Sequence, residues 1–209
     1  MSEPAVLFGY PISHYCVSAE RMLAFKKVPF RRVHVPYHDK RELIRETGQD
    51  YVPAVKWGKT VVTWKDIPDD LERRVPEPTL YPPGQEALAR SMENWAHQVI
   101  EEQVWRFVVT RVPQVLTDDV ERWVFEELQS RSRGPWTVLQ SRRPEFRREL
   151  HEYLEMLEQL FHDRTFILGG PSLADCGLFG ALAPLGVVGE GIPRKFPRLR
   201  RWHHTVESW

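Results

Sequence analysis

Apolar residues are arranged in two different ways along this chain of 209 residues. In the first part, short apolar runs alternate with stretches of helical spacing. Residues 5–10 form an apolar run that ends at Pro11, which predicts a buried strand. From Ser13 onward the apolar residues recur at helical spacing, and residues 29–37 alternate apolar with basic residues, which predicts a helix and then a second strand.

The next segment predicts a second helix and a hairpin. Residues 39–47 suit a helix, and the strand-like runs 51–57 and 60–62 are joined by Gly58-Lys59, a length typical of a tight turn. A further short helix follows. The predicted order is therefore β-α-β-α-β-β-α, which describes an α/β domain.

Composition then changes at a proline-rich segment. Residues 75–84 contain four prolines, which is typical of a linker between domains. Beyond it the apolar stripes have helical spacing. The two clearest stripes are Leu88, Met92, Trp95 and Val99, and Leu150, Leu154, Leu157 and Phe161. The predicted organisation is an α/β domain over residues 1–76, a linker over 77–84 and an all-α helical bundle over 85–209.

Charge and cysteine content narrow the functional classes. The 29 basic residues are balanced by 29 acidic ones and interleaved with them, so we expect neither a nucleic-acid nor a membrane partner. No apolar stretch approaches the ~20 residues of a membrane span, and residues 1–4 lack the basic and apolar regions of a signal peptide. Because Cys16 and Cys176 lie far apart and no metal-ligand cluster is visible, we expect a cytoplasmic protein without a metal site.

The start of the first helix, Ser13-His14-Tyr15-Cys16, is the strongest candidate for chemistry. A serine at this place usually caps the helix by accepting a backbone N–H. The same place suits a bound thiolate, because a helix N-terminus carries about half a positive charge and free N–H groups. Lowering a thiol pKa by two units needs roughly 2.7 kcal/mol, which a charge-assisted hydrogen bond and the helix terminus together supply.

Ser13-x-x-Cys16 resembles the CxxC site of glutaredoxins with serine in the first place, and also the serine site of zeta- and theta-type and the cysteine site of omega-type glutathione transferases. Residues 26–30, KKVPF, resemble the KGxPF-like stretch of these families. The resemblance implies a thioredoxin-like first domain with Ser13 as the catalytic hydroxyl. Tyr10 is a second candidate, because some transferases use a tyrosine at the end of the first strand. It is weaker than Ser13, because a tyrosine at this place is more often a packing residue.

Val52-Pro53 resembles the cis-proline of thioredoxin-like folds, where the backbone before the proline pairs with the cysteinyl part of glutathione. Proline cannot donate to a sheet ladder, so an edge position suits it. The resemblance implies that glutathione is a co-substrate. Its implied binding residues are Tyr10, Ser13, Tyr15, Val52, Pro53, Trp64 and Lys65.

The C-terminal part contains the most family-specific segment. Residues 164–175, RTFILGGPSLAD, resemble the fLxGxxxSLAD segment of glutathione transferases, and residues 195–202 resemble the yPrlxrW ending. The spacing predicts a capping box in which Ser172 caps a buried helix and Asp175 reaches back to it. We therefore interpret both residues as structural. With these segments the resemblance covers nearly the whole chain and implies the glutathione transferase fold.

The sequence departs from the family where the γ-glutamyl end of glutathione binds. Glutathione transferases usually carry Glu-Ser or Asp-Ser there, whereas this chain has Thr63-Trp64. Losing a hydrogen bond to a charged group lowers affinity roughly ten- to a hundredfold. Lys65 offsets part of this loss. Three acids are expected to crowd the next helix start and to repel a carboxylate: Asp66, Asp69 and Asp70.

Three functions agree with these residues. The first is a glutathione transferase in which Ser13 activates the thiol for attack on a small hydrophobic electrophile. The second is a binding or scaffold protein that has lost the γ-glutamyl site, which Trp64 favours. The third is a glutaredoxin-like reductase that uses Cys16. The resemblance also implies a homodimer, and an electrophile pocket between the domains lined by Trp95, Gln98 and Trp105.

Overall fold

The structure is a computed structural model that describes residues 4–209. Residues 1–3 lie outside this range. The predicted start of the first domain, and the expectation that residues 1–4 are not part of a signal peptide, therefore fall largely outside the described residues. The first part of the described chain is an α/β domain built on a four-stranded mixed sheet, and the second part is helical. This arrangement confirms the predicted thioredoxin-like domain followed by a helical bundle.

The elements of the first domain follow the predicted order. They are β1 (Ala5–Gly9), α1 (His14–Phe25), β2 (Phe30–His34), α2 (Arg41–Thr47), β3 (Ala54–Trp57), β4 (Thr60–Thr63) and α3 (Ile67–Arg74). The strand order across the sheet is β2-β1-β3-β4, with β1 parallel to β2 and antiparallel to β3. The β3–β4 hairpin turns at Gly58, whose φ of 56° favours glycine.

The junction between β1 and α1 is unusually close. A Cβ atom at Gly9 would lie 2.7 Å from Sγ of Cys16, so a side chain at residue 9 would push the helix away. The N–H of Ser13 donates to the carbonyl of Tyr10 at 3.1 Å and closes the connecting turn. Cys16 is therefore a core residue, only 2% exposed.

The second domain packs its helices around an apolar core. α4 (Glu86–Trp95) and α5 (Glu101–Val108) are joined by a π turn, Ala96–Ile100. A 3-10 turn follows. The remaining helices are α6 (Asp119–Arg133), α7 (Trp136–Leu160), α8 (Leu173–Val187) and α9 (Pro197–Glu207). Between residues 4 and 209, no helix has the length and the apolar character needed to cross a membrane.

α8 fixes α1 against the second domain. Twelve of the fifteen residues of α8 are buried, as expected for a helix packed on all sides. A Cβ atom at Gly180 would lie 2.4 Å from the carbonyl oxygen of His14 and 2.0 Å from Oγ of Ser18. Glycine at this place lets the backbone of α8 touch the first turn of α1, and the start of α1 is thus held by both domains.

The segment between α3 and α4 is anchored to both domains. Leu80 is fully buried, and its carbonyl accepts the N–H of Leu173 at 2.9 Å. Glu72 accepts the N–H of Leu80 at 2.7 Å and pairs with the buried Lys26 at 2.5 Å. The predicted linker is therefore packed against the protein, while its bounds, 77–84, stay a prediction.

The predicted capping box at the start of α8 is replaced by a buried anchor. Ser172 occupies the N-cap position, but its hydroxyl donates to Oδ2 of Asp175 at 2.9 Å and makes no capping bond. Oδ1 of Asp175 accepts the N–H of Ile167 at 3.1 Å and the indole N–H of Trp202 at 2.8 Å. Burial raises the pKa of Asp175 to about 6. Asp175 thus joins the segment before α8, the start of α8 and α9 through its bonds to Ile167, Ser172 and Trp202. The buried indole N–H of Trp202 needs such an acceptor.

Candidate functional site

A cavity of about 780 Å³ lies between the two domains, and we call it the large cavity; its volume is within the range of ligand sites. The first domain lines it through the start of α1, the loop before β3 and the segment between β4 and α3. Its residues there include Tyr15, Tyr51, Val52, Thr63, Trp64 and Lys65. The second domain lines it through α4 and the π turn. Its residues there are Arg90, Glu93, Asn94, His97 and Gln98.

Three rings form an aromatic wall in this cavity. The rings of Tyr15 and Trp64 have centroids 4.5 Å apart, and His97 lies 4.6 Å from Tyr15 and 5.0 Å from Trp64. These separations are typical of tilted and edge-to-face aromatic pairs. Trp64 therefore supplies a flat apolar surface at the position where the resemblance implies a hydroxyl residue.

The π turn places His97 against the first turns of α1. His97 is 5% exposed, and its Nε2 lies 3.4 Å from Oγ of Ser18. Burial, together with the nearby His14, holds the pKa of His97 well below its usual range, so the ring is neutral at pH 7. His14 in turn pairs through Nδ1 with Glu101 at 3.2 Å. Polar contacts from α5 and the π turn therefore fix the start of α1.

Ser13 occupies the N-cap position of α1. Its backbone is extended, and its Oγ accepts the N–H of Cys16 at 3.4 Å. A hydroxyl that accepts one hydrogen bond still has its own proton to donate. Capping and contact with a bound sulfur are therefore compatible at this residue.

Cys16 lies behind this helix start rather than at its surface. Burial raises the pKa of the Cys16 thiol to about 11, although the hydroxyl of Ser13 acts in the opposite direction. A reactive cysteine needs a lowered pKa and access to solvent. The structure therefore argues against Cys16 as a nucleophile and against the reductase hypothesis.

A second, smaller cavity of about 150 Å³ is lined by the turn that leads into α1. Its walls are mainly apolar and come from the β1–α1 turn, from the end of β2 and the loop after it, and from residues between α5 and α6. They include Tyr10, Pro11, Ile12, Tyr37, Val115 and Leu116. Ser13 therefore lies in the chain between Ile12, which lines the small cavity, and Tyr15, which lines the large one.

The ring of Tyr10 packs against Tyr37 and the core. Its ring lies 5.2 Å from that of Tyr37, and burial raises the pKa of Tyr10 far above its usual value. A phenol of this kind does not ionise near neutral pH. We therefore place Tyr10 in the wall of the small cavity and not among the groups that activate a thiol.

The structure separates the three residues predicted for the electrophile pocket. Gln98 lines the large cavity. Trp95 packs against the core of the helical domain. Trp105 is 8% exposed and donates its indole N–H to Gln129 at 3.0 Å. Both tryptophans lie on the apolar stripe of their helix and pack in the core, so only Gln98 of the three predicted residues lines the large cavity.

The Val52-Pro53 peptide bond is cis, as predicted, and Val52 lines the large cavity. The residue before the proline is thus present at the place where the resemblance puts a peptide ligand. Pro53 itself is buried.

The acids at the start of α3 do not act as expected. Asp66 takes the N-cap position without a capping bond, and its Oδ2 lies 3.4 Å from the hydroxyl of Thr63. Asp69 pairs with Arg90. Asp70 is buried and pairs with two arginines of its own helix. Because arginines neutralise two of the three acids, the repulsion of a carboxylate is weaker than the sequence predicted.

Sequence reasoning missed the contribution of α4 and the π turn. Five residues there line the large cavity at spacings of three and four: Arg90, Glu93, Asn94, His97 and Gln98. They form the polar face opposite the apolar stripe that predicted the helix. A polar stripe usually faces solvent, and only the position of the first domain turns this one into a cavity wall.

Family models match both parts of the chain. The glutathione S-transferase N-terminal domain matches residues 7–79, and the glutathione S-transferase C-terminal domain matches residues 125–204. The chain belongs to the glutathione S-transferase superfamily. No curated protein sequence gives a significant match to this transferase-like chain.

Solved structures of the superfamily share this fold over nearly the whole chain. Glutaredoxin 2 from Salmonella typhimurium in complex with glutathione has a TM-score of 0.80 at 16% identity, covering 99% of this chain and 94% of that one. A glutathione S-transferase of Ceriporiopsis subvermispora in complex with glutathione also scores 0.80 at 16% identity, with 100% of both chains covered. The beta-etherase LigF from Sphingobium sp. scores 0.68 at 20% identity, covering 99% and 96%. At these identities the likeness shows the fold alone.

Proposed function

We propose that this superfamily member binds glutathione and transfers it to a small hydrophobic electrophile. The observation that carries the proposal is the position of the α1 start. Its N-cap residue, Ser13, stands in the chain between Ile12 in the wall of the small apolar cavity and Tyr15 in the wall of the large one. A reaction between two ligands needs their binding sites to lie close to the group that assists the reaction.

In the proposed reaction the large cavity holds the peptide. The backbone of Val52, which lines this cavity, pairs with the cysteinyl residue, as the family resemblance implies. The sulfur then lies at the start of α1, where the helix dipole and the free N–H groups favour its ionised form. Ser13 donates its hydroxyl proton to this thiolate as a hydrogen bond while continuing to accept the N–H of Cys16.

The chemical step is a displacement or an addition. The thiol of glutathione loses its proton to solvent, and the thiolate forms a carbon–sulfur bond with the electrophile. A leaving group departs with its electron pair, or an activated double bond receives the electrons and is then protonated. The small cavity, with its apolar wall of Ile12, Tyr37 and Leu116, suits the electrophile better than the predicted set of Trp95 and Trp105.

The first test compares Ser13→Ala with Cys16→Ala. Losing one preorganised donor to a developing anion lowers turnover about 10²-fold, so we expect that loss for Ser13→Ala with glutathione and an aryl halide. Cys16→Ala should retain most of the activity, because its thiol is buried and protonated. Thermal melting of both variants controls for folding. Loss confined to Cys16→Ala would support the reductase instead.

A binding or scaffold function is the second candidate, and Trp64 favours it. In that case the aromatic wall of Trp64, Tyr15 and His97 would hold a ligand without turnover. Retention on immobilised glutathione separates the two functions, because a scaffold that has lost the γ-glutamyl site should not be retained. A protein that is retained but shows no turnover with a panel of electrophiles would be a binding protein.

We also propose a homodimer as the working assembly, on the basis of the family resemblance and the frequency of two-fold dimers. The faces expected to meet are the last strand-helix region of the first domain and the first helices of the second domain, where Leu88 on α4 is 49% exposed. Sedimentation at micromolar concentration tests this proposal, and a single species near 24.6 kDa would contradict it.

A further inference from the structure

Glu93 on α4 has a carboxyl oxygen that the protein leaves without a partner. Its Oε1 is shielded from solvent and makes no hydrogen bond within residues 4–209. The same side chain lines the large cavity. A buried polar oxygen without a partner is unfavourable and uncommon, so this residue calls for a ligand group that completes its hydrogen bonding.

The packing of α4 on α8 builds Glu93 into this position. A Cβ atom at Gly177 would lie 2.8 Å from Cγ and 3.0 Å from Cα of Glu93. Any larger residue at 177 would displace the stem of the acid. The carboxyl group is therefore held at the cavity by the contact between two helices and is not a mobile surface group.

The cation next to Glu93 on the same helix, Arg90, already forms ion pairs with other acids. Arg90, one turn before Glu93, pairs with Asp69 and also with Glu86 at 3.0 Å. The other ionisable groups that act on or sense Glu93 are Asp69 of α3 and, from other elements, Tyr15, Tyr81 and Cys176. None of these supplies a free positive charge, and burial raises the pKa of Glu93 to about 8.

The part of the cavity wall that the first domain supplies offers the complementary group. Lys65 is exposed, lines the cavity from the first domain and forms no ion pair among the described residues 4–209. His97, also in the wall, has an Nδ1 atom without a partner in the same part of the chain. Among the described residues, the cavity lining therefore includes an acid with an unpartnered oxygen, from the second domain, and an unpaired cation, from the first.

We propose that Glu93 and Lys65 together recognise an α-amino-acid end of the ligand, Glu93 binding its ammonium group and Lys65 its carboxylate. The proposal rests on the proposed function, since the γ-glutamyl residue of glutathione carries both groups on one carbon atom. It accounts for the absence of a hydroxyl residue at position 64. Trp64 can supply an apolar wall because the charged groups are recognised from α4 and from the neighbouring lysine.

Calorimetric titration of the full chain with three peptides tests this pairing. The first is S-methylglutathione, which keeps both charged groups and has no thiol to ionise. The second lacks the α-amino group (glutaryl-S-methylcysteinylglycine), and the third lacks the α-carboxylate (4-aminobutyryl-S-methylcysteinylglycine). The variants are Glu93→Gln and Lys65→Gln. Their matched controls are Glu155→Gln and Lys59→Gln, exposed residues outside the cavity lining.

We expect a crossed pattern of affinities. Glu93→Gln should weaken binding of S-methylglutathione and of the carboxylate-free peptide about ten- to a hundredfold, and leave the amine-free peptide unchanged. Lys65→Gln should weaken S-methylglutathione and the amine-free peptide, by about tenfold or less because Lys65 is exposed, and leave the carboxylate-free peptide unchanged. A uniform loss across the three peptides would show that the residues only support the structure.

Proton release provides an independent readout. At pH 7 the Glu93 carboxyl is protonated in the free protein, and an ammonium group beside it lowers its pKa, so S-methylglutathione should release about one proton on binding. Titration in buffers of different ionisation enthalpy measures this proton, which should be absent in Glu93→Gln. Thermal melting confirms that this variant folds.

The outcomes separate the inference from the proposed function. If the unmodified protein binds S-methylglutathione but Glu93→Gln binds all three peptides equally well and releases the same proton, the inference fails and the proposed function stands. If the unmodified protein binds none of the peptides and is not retained on glutathione, both are overturned.

Discussion

Two helices of this protein begin with the same spacing, a serine followed three positions later by a residue with which its hydroxyl interacts. At the start of α1, Ser13 is half-buried and its hydroxyl accepts the N–H of Cys16. At the start of α8, Ser172 is fully buried and its hydroxyl donates to the carboxylate of Asp175. The first pattern uses the hydroxyl as an acceptor at a half-buried helix start, whereas the second uses its proton in the core.

The difference shows what decides whether such a serine is functional. The two hydroxyls differ in the bond they make with the residue three positions on: the carboxylate of Asp175 takes the hydroxyl proton of Ser172, whereas the hydroxyl of Ser13 accepts the backbone N–H of Cys16. Burial determines access. A helix start with an acid at the third position is therefore expected to be structural, and one with a neutral residue at a cavity keeps its hydroxyl for a ligand.

The largest expected effect is the loss of the anchor at α8. Asp175→Ala leaves three buried donors without an acceptor: Ile167 N–H, the Trp202 indole N–H and the Ser172 hydroxyl. Since each unsatisfied buried group costs about 1–3 kcal/mol, the free energy of unfolding should fall by at least about 3 kcal/mol. Chemical denaturation measures this change.

The counterpart at the start of α1 sharpens the first prediction. Cys16→Ala removes only a buried sulfur atom and should cost less than about 2 kcal/mol. Equal losses for Asp175→Ala and Cys16→Ala would mean that Asp175 is not the anchor described here. Asp175→Asn, which keeps one acceptor oxygen, should fall between the two.

The pH dependence of the free energy of unfolding distinguishes the two helix starts, because Asp175 and Cys16 titrate in different pH ranges. Because the pKa of Asp175 is raised to about 6, the folded state retains a proton between pH ~4 and ~6 that the unfolded chain has lost. The free energy of unfolding should therefore decrease by up to about 3 kcal/mol as the pH rises through this range. Cys16, with a pKa of about 11, contributes nothing below about pH 8.

Variants identify the groups responsible for this profile. Asp175→Asn should remove the decrease between pH ~4 and ~6 and Cys16→Ala should keep it. Glu93, whose pKa is raised to about 8, produces a similar decrease that extends to about pH 8, and Glu93→Gln should remove that part. An unchanged profile in both acid variants would show that neither carboxyl is desolvated as the structure indicates.

The smallest effect compares the serines themselves. Ser172→Ala removes a buried hydrogen bond to a carboxylate and should cost about 1.5–3 kcal/mol. Ser13→Ala removes a long capping bond at a half-buried helix start and should cost about 1 kcal/mol or less. Thermal melting of the matched pair decides this comparison. A larger loss for Ser13→Ala would mean that the α1 start is primarily structural and would weaken its proposed role in activating a thiol.

The fold was predictable because it depends on local signals that reinforce one another. The apolar run of residues 5–10, the Gly58-Lys59 turn and the prolines of residues 75–84 each specify backbone behaviour within a few residues. Such signals act at short range and do not depend on the rest of the chain. The order β-α-β-α-β-β-α could therefore be read directly, and the structure confirms it.

The candidate site was predictable only in part. The residues Tyr15, Val52, Trp64 and Lys65 were found because the resemblance places them, and all four line the large cavity. Trp95 and Trp105 were placed in a pocket from their size and helix position, whereas the core of the helical bundle takes them. An apolar stripe indicates which face of a helix is buried but not which neighbour buries it.

The sequence by itself determined the elements, their order, the proline-rich boundary and the serine at the start of α1. The tertiary structure decided what those elements enclose. Glu93 and His97 belong to a polar helix face that would ordinarily meet solvent, and they line a cavity only because α1 and the β4–α3 segment pack across from them. Asp175 became an anchor because the fold brings the indole of Trp202 to it across 27 positions of the chain. Distances, burial and charge pairing between residues remote in sequence arise only when the chain is folded, and the chemistry of the site depends on them.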